Sequence, residues 1–419
     1  MTGNPFVDSG LGIAAKRAGH PSIKALSRND LRQAVGDLHG AAARLKDLKI
    51  MASFWVNNPF MGKNLGQKPK YAGFLNDLAA GSLPTSAGHC QVCGRAPTIA
   101  HEADRCWFPL AAGGDSDPCT LPGLRGKAVC AECMSAVIIL PLGCRFCPDG
   151  PYFVHVTEPD LQVRAVANGV EGLNAAMLAG SGDAIHDRTT LRGRVALLDI
   201  ASRSNLWDHT LPDHMERVPR SGATMISFSN SGSGACFNQL HLPAQALEFF
   251  GAIAEAGVRR IFLGWAQEID RTRDKAKRKD WLDELCESIE ERRSLGPLLF
   301  ALVRRRKDGR LRKEECKVLE IYEDVALKKK ERFDALQRVA NKIHQMPGRY
   351  SESFVKRLGN LGSRGTLLDL LKDFCKREGS GLKIAPGELR AIADSPANET
   401  ASLLYLLCVA EAEDDGGQQ

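Results

Sequence analysis

The chain has 419 residues, enough for two or three domains that each bury a core of their own. No uninterrupted apolar stretch reaches the roughly 18 residues of a membrane span, which excludes an integral helical membrane protein. The first residues contain neither a basic segment nor a long apolar run, so we expect neither a signal peptide nor an anchor, and hence a cytoplasmic protein. The net charge of +6 is modest, and the basic residues cluster in the C-terminal part.

The first segment of the chain mixes short apolar stretches with Asn, Pro and Gly turns. The opening Asn4-Pro5-Phe6, taken alone, predicts a turn followed by the start of a strand. A helix is predicted over 28–49, where Leu and other apolar residues recur at helical spacing after a capping residue at Ser27 or Asn29. A strand is predicted at 50–56, followed by a polar loop at 57–64.

Eight of the thirteen cysteines lie in an irregular segment at 88–150, where three pairs have Cys-x-x-Cys spacing. Each pair brings two thiolates within reach of one ion, and two pairs complete the tetrahedral sulfur site that structural zinc prefers. In a reducing cytoplasm zinc is favoured over the alternative of reduced or disulfide-bonded cysteines. The predicted zinc ligands are Cys90, Cys93, Cys130, Cys133, Cys144 and Cys147. Whether they bind one ion or two, and which pairs share an ion, stays open.

Strand patterns return after the cysteine-rich segment, and helical patterns dominate the rest of the chain. Strands are predicted at 152–156, 194–200, 224–228, 236–242 and 260–264, and a helix at 247–256. The Gly/Ser-rich turn at 229–234 predicts a hairpin. From about residue 267 the chain is rich in Lys, Glu, Leu and Arg at helical spacing, with helices at 280–293, 313–345, 351–358, 366–377, 386–392 and 399–412.

These patterns predict an α+β, multidomain protein. Its N-terminal domain is a mixed α/β domain made of residues 1–87 and 151–266, with the zinc-stapled, cysteine-rich insert at 88–150. An all-α helical bundle follows at 267–419.

No convincing constellation of catalytic residues accompanies this fold. The chain lacks a Walker-type loop, a dinucleotide fingerprint and a Gly-x-Ser-x-Gly elbow. One alternative is a zinc-stabilised nuclease of the His-Asn-His type, for which His101 and Glu102 lie between two cysteine pairs. That pattern also requires an Asn and a second His, which are missing, and four sulfur ligands leave no position for water. We therefore expect a protein without catalytic activity of its own.

Four segments, taken in order, resemble one known family. They are Asn4-Pro5-Phe6, the pairs Cys90/Cys93 and Cys130/Cys133 with the apolar run after the second pair, the segment 226–232, and Leu240-His241-Leu242-Pro243. This order resembles the CXXC–CXXC class of large subunits of type I CRISPR surveillance complexes (Cascade), best known from subtype I-B. The resemblance covers about residues 2–264. The C-terminal part is similar only in its helical character, and the pair Cys144/Cys147 departs from the family pattern.

The resemblance implies a non-catalytic subunit of an RNA-guided complex in antiviral defence. It would recognise a short protospacer-adjacent motif (PAM) in duplex DNA and help to open and hold the strands of the R-loop, while guide RNA reads the sequence. The implied partners are the backbone and crRNA-end-binding subunits, a small subunit, crRNA and target double-stranded DNA, with no membrane. A recruited helicase-nuclease and transposition proteins are the two alternatives for a downstream partner.

Polar side chains on loops are suited to reading bases, and basic clusters are suited to holding phosphates. The residues that we predict to bind DNA on this basis are Asn57, Asn58, Lys63, Asn64, Lys68, Asn230, Ser231, Arg271, Arg273, Arg304, Arg305 and Arg306. A free-standing zinc-containing regulator that binds DNA is a further alternative, and it differs in predicting tight, sequence-specific binding by the isolated chain.

Overall fold

The computed structural model describes residues 1–47, 54, 68–100, 128–203, 219–231, 234–272, 274–361, 367–377, 381–393 and 396–410. These residues form two compact units, the first ending at His241 and the second beginning at Leu242. The sequence predicts the start of the helical bundle at residue 267, so the structure places the boundary earlier and gives two further helices to the second unit. The predicted strand at 50–56 and loop at 57–64 lie outside the described residues, except for Phe54.

The first unit begins with helix α1 (Pro5–Arg17), where the sequence predicts a turn and a strand. The side chain of Asn4 accepts hydrogen bonds from the backbone N–H groups of Phe6 and Val7, at 3.1 and 3.2 Å. Pro5 occupies the first helical position. An Asn at the N-cap followed by Pro favours the start of a helix, so the three residues that suggest a turn initiate α1.

Five further helices belong to the described part of this unit. They are α2 (Arg28–Asp47), α3 (Lys68–Ala80), α4 (Ala131–Ile138), α5 (Pro159–Ala179) and α6 (Arg194–Arg203). Helix α2 confirms the helix predicted at 28–49 within the described residues, whereas the strand predicted at 194–200 is wrong. Residues 195–202 are all buried in α6, so their apolar run carries no periodicity that separates a helix from a buried strand.

The strands of the first unit form a short two-stranded sheet and a four-stranded sheet. Strand β1 (Thr85–Ser86) pairs with β2 (Thr98–Ile99). The larger sheet has the order β3 (Arg145–Cys147), β4 (Gly150–His155), β5 (Ala223–Ser231) and β6 (Gly234–Leu242). Strand β4 pairs antiparallel with both β3 and β5. The strands predicted at 152–156 and 224–228 and the hairpin that ends at 236–242 are confirmed.

Two glycines allow helices of the first unit to lie unusually close to neighbouring backbone. A Cβ atom at Gly10 of α1 would lie 1.8 Å from the carbonyl oxygen of Ala136 in α4. A Cβ atom at Gly169 of α5 would lie 1.7 Å from the carbonyl oxygen of Gly143. Only a residue without a side chain fits at such positions, which fixes how α1 and α5 pack around α4 and the turn that follows it.

The core of the first unit joins its N-terminal helix, its sheet and its cysteines. The ring centroid of Phe6 lies 5.3 Å from those of Phe153 in β4 and Phe228 in β5. Cys90 and Cys133 are buried in the same cluster of apolar side chains. The described part of the segment 88–150 therefore belongs to the core of the first unit and does not form an insert with a core of its own.

In its described part, the second unit is built from helices. They are α7 (Ala244–Glu255), α8 (Arg259–Asp270), α9 (Lys275–Glu290), α10 (Gly296–Val303), α11 (Lys313–Ile321), α12 (Lys330–His344), α13 (Gly348–Gly359), α14 (Leu367–Lys376), α15 (Pro386–Ala393) and α16 (Ala397–Cys408). The all-α character predicted from residue 267 is confirmed in the described residues. The strand predicted at 260–264 is wrong, because Phe262, Trp265 and Ile269 are buried at the spacing of one helix face in α8.

One predicted helix of the second unit is interrupted. The sequence predicts a continuous helix at 313–345, but α11 passes into a single π-helical turn at Tyr322–Ala326 before α12 begins. Lys328, in the link, has a φ of 56°, which an α-helix does not accommodate. The apolar spacing continues across this link, which explains why the pattern alone gives one helix. Taken together, the two units confirm the α+β, multidomain class.

Candidate metal centre

Four cysteines from two of the Cys-x-x-Cys pairs converge at one point of the first unit. The Sγ atoms of Cys90, Cys93, Cys130 and Cys133 all lie within 4.8 Å of one another, and those of Cys93 and Cys130 are 3.6 Å apart. Sulfurs that surround one zinc ion tetrahedrally at about 2.3 Å are about 3.8 Å apart. The cluster is therefore compatible with one metal ion bound by four thiolates, a donor set typical of zinc or iron.

The first pair lies in a tight turn that points both thiols to the same side. The N–H of Gly94 donates to the carbonyl of Cys90 at 2.8 Å, and the N–H of Cys90 donates to the carbonyl of Arg95 at 2.7 Å. Gly94 has a φ of 75°, a conformation that favours glycine. The N–H of Gln91 donates to the carbonyl of Ala128, which ties this turn to the chain that leads into α4.

The second pair lies at the first turn of α4. Cys130 is the N-cap residue, and its Sγ accepts a hydrogen bond from the N–H of Cys133 at 3.5 Å. The partial positive charge at a helix N-terminus stabilises thiolates, the form in which cysteine binds a metal. The turn that carries the first pair and the first turn of α4 thus each present two sulfur atoms. The backbone of both elements holds these atoms in positions suited to metal ligands.

The four thiols are too close together to ionise at the same time without a cation. Hydrogen bonds from Cys130 and Cys133 lower the pKa of Cys90. Hydrogen bonds to Cys130 and Cys90 raise the pKa of Cys133. For Cys130, the hydrogen bond with Cys133 lowers the pKa, but the bond with Cys90 and burial outweigh it, and the pKa rises to about 11. A divalent cation removes this conflict, because each bound thiolate then faces a positive charge.

Charged side chains surround the cluster. Glu132, between the two cysteines of the second pair, accepts from Arg28 Nε at 2.6 Å and lies 2.7 Å from Arg95 Nη1. Arg95 follows the first pair by two residues, and Arg28 begins α2. The sequence analysis missed these residues. Adjacency to the cysteines is a signal that could have found Arg95 and Glu132, whereas nothing in the sequence connects Arg28 with a glutamate 104 residues away.

The third pair lies apart from this cluster. Cys144 is buried, and burial raises its pKa, as expected for a thiol among apolar side chains. Cys147 is in β3, where its Sγ lies 3.4 Å from the carbonyl oxygen of Gly150. The group of metal-ligating side chains found in the described residues contains neither of them. Four of the six predicted ligands thus come together, and Cys144 and Cys147 are not part of their cluster; a second ion at Cys144 and Cys147 stays a prediction.

The residues predicted to bind DNA are scattered over both units. Asn57, Asn58, Lys63, Asn64 and Arg273 lie outside the described residues, as do His101 and Glu102 of the nuclease alternative. Lys68 is the first residue of α3, and Asn230 and Ser231 end β5. Arg271 caps the C-terminus of α8 and is exposed. Arg304 and Arg305, also exposed, follow α10, and Arg305 lies 4.4 Å over the ring of Trp281.

Arg306 is different from its two neighbours, and its assignment to DNA is corrected. Its side chain is 10% exposed and donates to both carboxylate oxygens of Glu268, at 2.9 and 2.7 Å. It also donates to both oxygens of Glu315, at 2.6 and 2.7 Å. These bonds use the guanidinium inside the second unit, so Arg306 joins α8 to α11.

Comparison of the chain with protein-family models, curated proteins and solved structures found no match. In the described part of the chain, no helix has the length and apolar character needed to cross a membrane.

Proposed function

We propose that this chain is the non-catalytic large subunit of a type I CRISPR RNA-guided effector complex. It recognises the protospacer-adjacent motif in duplex DNA and helps to open and hold the strands. One observation carries the proposal: three of the four segments on which the family resemblance rests meet in one core. Asn4 starts α1, Phe6 packs against Phe228 of the segment 226–232, and α1 meets α4, which begins at Cys130.

The metal in this proposal is zinc, in a structural role. A site with four sulfur ligands has no open position for water, which disfavours metal-assisted hydrolysis. Its ligands connect a surface turn with α4, whose residue Ala136 contacts α1 at Gly10. Zinc therefore stabilises the N-terminal part that carries the recognition loops, in a reducing, cytoplasmic setting.

Within this proposal, the DNA-contacting residues are those predicted from the sequence except Arg306, whose guanidinium is used inside the second unit. Asn230 and Ser231 are the last residues of β5, and short polar residues next to a turn are of the type that reads base edges. Arg271, Arg304 and Arg305 are exposed on the second unit and suit phosphate contacts. The proposed partners remain the other subunits of the complex, crRNA, and a helicase-nuclease or transposition proteins.

The proposal is tested by purifying the tagged chain from its native cells and sequencing the RNA that accompanies it. We expect repeat-derived crRNA and co-purifying backbone subunits, and motif-dependent DNA binding by the complex. The isolated chain should bind DNA weakly and without sequence preference. Tight, sequence-specific binding by the isolated chain with no associated RNA would favour a regulator instead. Magnesium-dependent plasmid nicking that disappears in His101→Ala would favour a nuclease.

A further inference from the structure

We propose that the acidic segment 411–415 docks on the basic segment 304–313 of the same chain and competes there with the phosphates of nucleic acid. This docking rests on the proposed function, because it regulates the phosphate site to which Arg304 and Arg305 belong. The occupant of the basic segment in the absence of nucleic acid is thus a part of this chain, and the place where α16 ends supports that choice.

The end of α16 brings the chain directly to the basic segment. The N–H of Leu311 donates to the carbonyl of Val409 at 3.2 Å, and Leu311 pairs with Ala410 in an isolated parallel β-bridge. Leu311 is buried, so this bridge belongs to the packed part of the second unit. The chain therefore continues towards the acidic segment from a point beside Arg310 and Arg312, the two sequence neighbours of Leu311.

The acidic segment has four carboxylates within five residues, and it lies outside the described residues. The four are Glu411, Glu413, Asp414 and Asp415. An extended chain advances by about 3.3–3.6 Å per residue, so residues 411–415 can reach at most about 17 Å from Ala410. Guanidinium groups bind carboxylate and phosphate oxygens with the same geometry. The acidic segment can therefore occupy the cations that would otherwise contact phosphates.

The basic segment has exposed cations that match these carboxylates. Arg306 is not one of them, since Glu268 and Glu315 bind its guanidinium. The exposed cations are Arg304, Arg305, Lys307, Arg310, Arg312 and Lys313. Among the ion pairs of the described residues, none involves Lys307, Arg310 or Arg312. Asp308 and Glu314 are the exposed acids next to them in the sequence, so the segment keeps an excess of positive charge.

Attachment to the same chain makes even a weak contact effective. A ligand on a short tether acts at a local concentration in the millimolar range. If the acidic segment binds with a Kd of about 0.1 mM, docking lowers the affinity of the basic segment for nucleic acid about 10-fold. Salt screens exposed charges, so the contact is strongest at low ionic strength.

The first test maps the contact without nucleic acid. The full-length chain is treated with a water-soluble carbodiimide, which joins carboxylates to lysines in direct contact, and mass spectrometry identifies the products. We expect cross-links from the acidic segment to Lys307 and Lys313 at low salt, and their loss at about 1 M salt, where the Debye length is about 3 Å. No cross-link from the acidic segment, or cross-links only to lysines outside the basic segment, would overturn the proposal.

The second test measures binding of a labelled single-stranded oligonucleotide to the full-length chain at about 50 mM salt. Neutralising the acids with Glu411→Gln, Glu413→Gln, Asp414→Asn and Asp415→Asn should tighten binding about 10-fold. The matched control keeps every charge, and should bind as the wild type does: Glu411→Asp, Glu413→Asp, Asp414→Glu and Asp415→Glu.

A second background separates docking from a change in net charge. In a chain that also carries Lys307→Ala and Arg310→Ala, the gain from neutralising the acids should largely disappear, because the two sets of residues act on each other. The same gain in both backgrounds, or no gain in either, would contradict the docking. Cross-links in a chain that purifies without crRNA would support the docking and refute the CRISPR assignment alone.

Discussion

Among single residues, Arg306 illustrates how burial changes the role of a charge. It lies in a run of three arginines, yet only Arg304 and Arg305 face solvent. The Arg306 guanidinium meets Glu268 and Glu315, and Glu315 also accepts from the indole N–H of Trp265 at 2.9 Å. A buried ion pair of this kind contributes little over an apolar replacement, but removal of one partner leaves an uncompensated charge.

We therefore expect Arg306→Ala to lower the free energy of unfolding of the second unit by about 3–5 kcal/mol. Arg305→Ala, the matched control from the same run, loses only an exposed contact with Trp281 and should cost about 1 kcal/mol or less. Denaturant titrations of the two variants measure the difference. Equal losses would mean that the Glu315 carboxylate is compensated by other groups.

The pH dependence of this difference follows from Glu315. Burial alone would raise the pKa of Glu315, but hydrogen bonds from Arg306, the Arg312 N–H and Trp265 outweigh it and hold the pKa below its usual value of 4.5. In the wild type this carboxylate thus contributes stability above the unfolded pKa, which is lost as the pH falls through the folded pKa. In Arg306→Ala, burial raises the pKa of Glu315. Protonation of this carboxylate then removes its uncompensated charge, so the variant loses less stability at lower pH. The difference in the free energy of unfolding between Arg305→Ala and Arg306→Ala should therefore shrink as the pH falls from neutral towards 4.5.

Residue types and spacing predict the ligands of the metal centre better than its surroundings. Cys-x-x-Cys spacing marks two thiols that can share an ion, and the thiols of Cys90 and Cys130 with those of their partners do come together. The same spacing at Cys144 and Cys147 marks a thiol among apolar side chains and a thiol in a strand. Which pairs meet depends on tertiary packing, and a local pattern does not contain that information. The same holds for Arg306, whose acidic partners come from α8 and α11.

Among the elements, the contact between α1 and α4 connects the N-terminal helix with the metal centre. The contact depends on Gly10, because the carbonyl of Ala136 occupies the space of a side chain. Helix α4 in turn begins with two of the four clustered cysteines. A Cβ atom at Gly10 should therefore disturb both the packing of α1 and the position of Cys130 and Cys133.

We expect Gly10→Ala to lower the free energy of unfolding of the first unit by about 3 kcal/mol or more, the upper part of the range for overpacked cores, because a backbone carbonyl cannot move aside as a side chain can. The matched control is Gly36→Ala in α2, where a Cβ meets nothing within 4 Å. It should stabilise the unit by about 0.5–1 kcal/mol, since Ala favours a helix over Gly. Thermal unfolding of both variants tests this, and a neutral Gly10→Ala would contradict the close packing.

Elements with a clear periodicity are predicted correctly, and those without one are not. Helix α2 and the hairpin of β5 and β6 have the spacing of helix and strand and match their predictions. The segment of α6 is buried all round, and the segment 260–264 is too short to show the helical spacing that α8 has over its full length, so both patterns predict strands. The N-cap of α1 and the π-helical turn at Tyr322–Ala326 depend on backbone geometry that the apolar pattern does not record.

For the whole molecule, the chain divides into two compact units, and the four-cysteine cluster belongs to the first. The sequence predicts a helical C-terminal part correctly but places its start at residue 267, because α7 and α8 follow a strand pattern without a marked break in composition. The described part of the predicted insert packs into the core of the first unit. A cluster of cysteines suggests an independent module, whereas its packing against α1 is a long-range contact that a local pattern does not record.

We expect removal of the metal to loosen the first unit and to leave the second unchanged. Cys93→Ser should lose zinc, and hydrogen exchange followed by mass spectrometry should then show faster exchange in α1 and α4, while α12 and α16 keep their protection. The control Cys144→Ala removes a buried thiol outside the cluster, so it should keep its zinc although it is less stable. Loss of zinc in Cys144→Ala would place Cys144 in the metal site. Equal loss of protection in α12 upon zinc removal would mean that the two units unfold as one, and that zinc stabilises the chain as a whole.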